Sequence, residues 1–98
     1  MPHKIAFEAI AATRCLELQY DGFSRIVEVH CVGTTTAGNS AMRVYQIRGG
    51  SVSGEPVGWK MLTFDKTFSA RILEEASAAP RPGFKRGDRG MQVIIAEV

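Results

Sequence analysis

The run Leu16-Glu17-Leu18-Gln19-Tyr20-Asp21-Gly22, followed after Phe23-Ser24 by Arg25-Ile26-Val27-Glu28-Val29-His30-Cys31-Val32, decides how this chain folds. Leu16, Leu18 and Tyr20 alternate with Glu17 and Gln19, the period of two that marks a half-buried strand because successive side chains point to opposite faces. Asp21-Gly22 then supplies a turn, in which glycine reaches positive φ without a steric penalty. The return segment, about Arg25 to Val32, is rich in β-branched residues, which pack well on a pleated surface. The two segments read as an antiparallel hairpin.

Upstream of the hairpin, Ile5, Ala6, Ala9, Ile10 and Thr13 recur at helical spacing in an alanine-rich segment, and Pro2 stands where a first helical turn tolerates it. This predicts a short amphipathic helix over about His3 to Thr13, its apolar stripe laid on a sheet. Downstream, Gly33 to Ser40 is a polar turn and about Ala41 to Arg48 a third strand. Gly49 to Pro56 is too rich in glycine and serine for a regular element and reads as a long mobile loop. Trp59 to Phe64 is a fourth strand, with Trp59, Met61 and Thr63 on one face and Lys60, Leu62 and Phe64 on the other. Phe68 to Glu74 is a fifth, although its Ala-Arg-Ile-Leu-Glu-Glu-Ala run also suits a helix on propensity. Met91 to Val98 is apolar and β-prone, and a free strand of that kind invites association, so it is expected to dock as a strand within the chain or across a dimer. One helix followed by five short strands with tight connections is the order of a small, strongly bent SH3-like or Sm-like barrel, with the C-terminal strand added to it.

With 98 residues and 45% hydrophobic residues, the chain suits one domain: helix over 3–13, barrel strands over 15–75, a basic loop over 80–90 and the last strand over 91–98. No apolar run approaches the roughly 20 residues that span a bilayer, and no signal peptide is visible, so a cytoplasmic protein with no membrane partner is expected. Cys15 and Cys31 have no metal-ligand spacing and are expected to be reduced thiols. They lie about equally far from the Asp21 to Ser24 turn, so the hairpin could place them near each other, though two small buried hydrophobes are the more frequent outcome.

The net charge of +2 is unevenly spread. Between Arg81 and Gly90, Arg81, Lys85, Arg86 and Arg89 face a single acid, Asp88, while the rest of the chain is close to neutral. Phe84 interleaved with Lys85, Arg86 and Arg89 offers cations for phosphate and a stacking surface for a base; the plain alternative is a solubilising loop. Arg25, Arg43 and Lys66 place further cations on or beside strands. Tyr20, Tyr45 and Trp59 couple an apolar body to a hydrogen-bonding tip, with Trp59 expected to be structural. Glu28 and His30 fall on one strand face, which fits a proton relay or, more commonly, a hydrogen-bonded surface pair. No phosphate-binding Gly-rich loop, paired histidines or nucleophile motif is present, so neither catalysis, a cofactor nor a metal is expected.

Taken together, Leu18-Gln19-Tyr20-Asp21-Gly22, Arg25-Ile26-Val27-Glu28-Val29-His30, Met42-Arg43-Val44-Tyr45-Gln46, Trp59-Lys60 and Phe64-Asp65-Lys66 resemble the WYL-domain family of bacteria. The likeness runs from the front helix to about Glu75 and is greatest to short, stand-alone members that end in a segment like Arg81-Pro82-Gly83-Phe84. The family's Trp-Tyr-Leu triplet falls at Met42-Arg43-Val44 in this chain. The resemblance implies an Sm-like, SH3-type barrel that senses nucleic-acid or nucleotide ligands in a regulatory role. Position by position, it assigns the polar surface to Tyr20, Arg25, His30, Arg43 and Lys66. The expected function is therefore a non-catalytic module for an anionic ligand, single-stranded nucleic acid or a nucleotide. The alternative is an assembly module that pairs through Met91 to Val98, as a homodimer or with a partner protein.

Overall fold

A computed structural model describes residues 2–98. Helix α1 (Pro2–Ala12) leads into six strands, β1 (Arg14–Tyr20), β2 (Phe23–Thr35), β3 (Ser40–Gly49), β4 (Gly58–Thr63), β5 (Thr67–Ala76) and β6 (Met91–Glu97). All pair antiparallel in one sheet of order β4-β3-β2-β1-β5, with β6 added against β2. The Asp21-Gly22 turn has positive φ at both residues, the backbone pattern of a type I′ hairpin turn, and sets the β1–β2 register with Tyr20 opposite Phe23. Where propensity left 68–74 open between strand and helix, β5 is a strand, because pairing with β1 satisfies its backbone and tertiary context overrides propensity. Residues 50–57 are irregular, and Phe64 leaves the fourth strand to open a 3-10 turn, Phe64–Lys66.

The helix presses Ala6 and Ala9 onto the sheet, where Leu16, Leu18, Val27, Val29, Val32, Met42, Val44, Leu62 and Phe64 complete the main core. One irregularity in β2 then builds a second layer on the opposite face. Val29 lies opposite Val44 and Cys31 opposite Arg43, so His30 is an extra residue, a bulge. Beyond it the alternation inverts: Val27 and Val29 are followed by Val32 in the main core, while Cys31 joins Ala41, Met61, Phe84, Met91 and Ile94 in a smaller cluster. Strand β2 is consequently buried on both faces.

Leu16 pairs with Val27, which leaves Cys31 beyond the hairpin, opposite Glu97 of β6. The β1–β2 hairpin therefore does not set the two cysteines opposite one another. Both thiols are free and fully buried, and burial pushes each pKa up to about 11. Strand β6 docks within the chain, along the edge of β2 from Cys31 to Thr35 that β1 leaves uncovered. Gly33 permits this approach: a Cβ there would lie 2.0 Å from the Val93 carbonyl oxygen. No helix among the described residues is long and apolar enough to cross a membrane.

Candidate functional site

Residues 77–90, which include the basic loop expected over 80–90, form a strap across the second face of the sheet, fixed at three points. At its start, the Arg81 guanidinium donates from Nε to Glu28 Oε1 (2.6 Å) and from Nη2 to Oε2 (3.2 Å), while the Ala78 N–H donates to Oε2 (2.6 Å). Arg81 also lies over the Tyr45 ring, 4.8 Å from its centroid. In the middle, Phe84 sits 5.1 Å from the ring of His30 and 6.1 Å from that of Trp59, nearly parallel to the latter at 27°. At the end, Arg43 donates from Nε and Nη2 to the two oxygens of Asp88 (2.6 and 3.3 Å), and Asp88 Oδ1 accepts the Gly90 N–H (2.8 Å).

The Glu28–His30 pair is consequently buried and not on the surface, because the strap covers the face they share; both are at most 1% exposed. His30 Nε2 accepts the Arg81 backbone N–H at 3.0 Å, and Nδ1 lies 2.9 Å from the Glu28 carbonyl oxygen. An N–H can only donate and a carbonyl can only accept, so the ring is neutral with its proton on Nδ1. Burial lowers the His30 pKa. Burial pushes the Glu28 carboxyl up, but the hydrogen bonds from Arg81 and Ala78 outweigh it and hold the group below its ordinary value. Both ring nitrogens of His30 and both carboxylate oxygens of Glu28 thus have hydrogen-bond partners within the chain.

Between the strap and β4 lies a cleft of about 570 Å³, lined by Arg43, Trp59, Phe84, Lys85, Arg86 and Arg89, with Gly83, Gly87 and Asp88. Lys85 and Arg89 are exposed and make no ion pair among the described residues. Arg86 reaches Glu97 (3.3 Å) and the Val98 carbonyl oxygen. The hydrogen bond from Arg43 holds Asp88 below the ordinary carboxylate pKa.

Five of the ten residues expected at the site, Arg43, Phe84, Lys85, Arg86 and Arg89, thus converge on one cleft, and Tyr45 lies beside it under Arg81. The other four are elsewhere. Arg25 is only 3% exposed, its guanidinium between the rings of Tyr20 (5.1 Å) and Phe23 (5.8 Å) and bonded to the Tyr20 carbonyl and the Gln46 side chain. Buried Tyr20 pairs its hydroxyl with Thr63. These two side chains, like that of His30, make their polar bonds inside the scaffold. Lys66 is exposed but lines a separate cleft with Tyr20, Asp21, Asp65 and Phe68, away from the other cations. No family model, no curated protein and no solved structure matches the chain.

Two site residues escape the sequence reading. Trp59, expected to be structural, forms one wall of the cleft, and its ring also meets Tyr45 edge-on at 5.3 Å. Arg81, which the sequence presents as one more basic-loop cation, is the clamp that closes the strap on Glu28. The available signal was the lone acid in a basic run: an Asp two residues before a Gly is poised to accept that backbone N–H, which makes Asp88 a structural and not a solubilising charge. Among the described residues, no group of three or more His, Cys, Asp or Glu is arranged to hold a metal ion.

Proposed function

We propose that this chain is a non-catalytic binding module for an anionic, base-bearing ligand, single-stranded nucleic acid or a nucleotide, taken into the cleft between the strap and β4. The observation that carries the reading is the meeting in one cleft of the Trp59–Phe84 aromatic pair with exposed, uncompensated Lys85 and Arg89. An aromatic face stacks any base and nearby cations hold its phosphates, so these two elements suffice for sequence-tolerant recognition. The volume lies within the range of small-ligand sites. The WYL resemblance points to the same ligand class. It also favours an SH3-like bent barrel, an assignment supported here by the single 3-10 turn that carries β4 into β5 and by nearly equal extents of 28 × 28 × 26 Å. Fluorescence anisotropy with short labelled single-stranded DNA and RNA at several salt concentrations, beside a nucleotide panel in a thermal-shift assay, tests the proposal. Binding that weakens steeply with salt is expected, and no binding to any of these at low salt would refute it.

A second reading rests on β6. Val93 and Ile95 on this strand are 53% and 55% exposed, and β6 pairs with no strand but β2 among the described residues. An apolar strand with an open edge is a template for a further strand. If assembly is the function, the protein will elute as a dimer or larger species, and Ile95→Lys will return it to the monomer.

A further inference from the structure

We infer that Asp88 is an internal competitor of the ligand: its carboxylate occupies the guanidinium of Arg43, and an anionic group of the ligand takes its place when the cleft is filled. This rests on the anionic-ligand reading above and assigns it a gate.

Arg43 is the cation best placed to anchor an anion. It stands on β3 opposite Met61 of β4 and Cys31 of β2, so its backbone is fixed, whereas Lys85, Arg86 and Arg89 ride on the strap. A cation already oriented by the sheet loses less freedom on binding than one that must be ordered at the same moment. Its Nε and Nη2 present a fork to two oxygens, the geometry that a phosphate matches as well as a carboxylate does. In the structure that fork is filled by Asp88, so an incoming anion meets an ion pair and not a free charge.

The pair is built to exchange. The Arg43 side chain is 27% exposed and lines the cleft, and that of Asp88 is 12% exposed. At the other end of the strap, the Glu28 side chain is only 2% exposed and holds Arg81 with both oxygens, so that end is anchored. Asp88 Oδ1 also accepts the Gly90 N–H, and the Met91 N–H donates to the Asp88 carbonyl. The turn into β6 therefore has bonds of its own that do not depend on Arg43, and the carboxylate can release the guanidinium while β6 stays in place. An acid at the rim of a cleft lined by four cations otherwise opposes anion binding, and its single ion pair is with the anchored one.

The test is Asp88→Asn, which keeps the oxygen that caps Gly90 and removes the charge; Asp88→Ser, whose hydroxyl can accept the same N–H, serves as the second variant. Affinity for a labelled oligothymidylate, measured by anisotropy, should rise about tenfold or more in both, the scale of freeing one charge-assisted hydrogen-bonded pair. Glu74→Gln, an exposed acid on β5, changes the net charge equally and should raise affinity no more than about twofold, as expected of a distant, screened charge. Adding Arg43→Ala to Asp88→Asn should abolish the gain. A gain no larger than that of Glu74→Gln, or one that survives Arg43→Ala, overturns the inference while wild-type binding stands. Absence of binding in the wild type and in every variant at low salt instead overturns the anionic-ligand reading, and the gate with it.

Discussion

His30 shows how one inserted residue ties the strap to the sheet. As the bulge in β2, it turns its ring toward the strap, where Nε2 accepts the Arg81 N–H while its own carbonyl accepts the Val98 N–H. Protonating Nε2 would set a donor against a donor. The folded-state pKa of His30 lies below its ordinary 6.5, so the unfolded chain takes up the proton first as the medium acidifies. The stability owed to neutral His30 is complete above about pH 6.5 and is lost as pH falls toward the folded value. Glu28, lowered from 4.5, adds a loss of the same sign at more acid pH. Thermal midpoints measured across pH should therefore decline in two stages, and His30→Gln should remove the upper one; a midpoint flat from neutrality to about pH 5 would contradict the neutral ring. Arg81 and Arg48 allow a second comparison, since both make bidentate contacts with a carboxylate but only the partner of Arg81 is buried. Arg81→Ala should lower the midpoint by several degrees by stranding Glu28, whereas Arg48→Ala should leave it nearly unchanged.

At the scale of elements, β6 and the strap act together, because the second face of β2 and its free edge are covered by consecutive segments. Truncation after Gly90 would remove buried Met91 and leave Cys31 to Thr35 without edge partners, so the shortened chain should aggregate or lose its cooperative melt in size-exclusion and thermal-unfolding measurements. Gly33→Ala attacks the same contact from the other side. With a Cβ 2.0 Å from the Val93 carbonyl and backbone on both sides of the clash, the substitution should cost about 2 kcal/mol or more by chemical denaturation. A full-stability Gly33→Ala variant would mean that β6 does not lie where it is described. The hairpin, the helix and the strand character of β3, β4 and β6 were legible in sequence because each rests on local periodicity and turn chemistry. The docking partner of β6 and the burial of Glu28 and His30 were not, since both depend on segments more than 50 residues away in the chain.

Across the whole molecule, four of the twelve Lys and Arg and one of the ten acids lie between Arg81 and Gly90, so this decade carries +3 and the remainder −1. The fold lays that charge over an otherwise near-neutral sheet and spends part of it internally, Arg81 on Glu28 and Arg86 on Glu97. The cleft cations without an ion pair among the described residues are Lys85 and Arg89, to which the proposed release of Asp88 would add Arg43. Replacing Lys85 or Arg89 by Ala should each reduce the slope of log affinity against log salt by about 0.7 for a single strand, while Lys66→Ala, in a separate cleft, should not change it. Equal effects at all three positions would show diffuse attraction and no defined site.

The sequence by itself determined the helix, the order of strands, the Asp21-Gly22 turn and the presence of a basic, Phe-bearing segment, because these follow from residue periodicity, backbone preference and composition. The tertiary structure alone decided which charges are free. Arg25 and Arg43 both stand on strands, yet one is sealed between two rings and the other opens on a cleft. That difference comes from what packs over each residue, and for Arg43 it is a strap whose course is fixed by three contacts, Arg81 with Glu28, Phe84 with Trp59 and Asp88 with Arg43, each formed across a long stretch of chain.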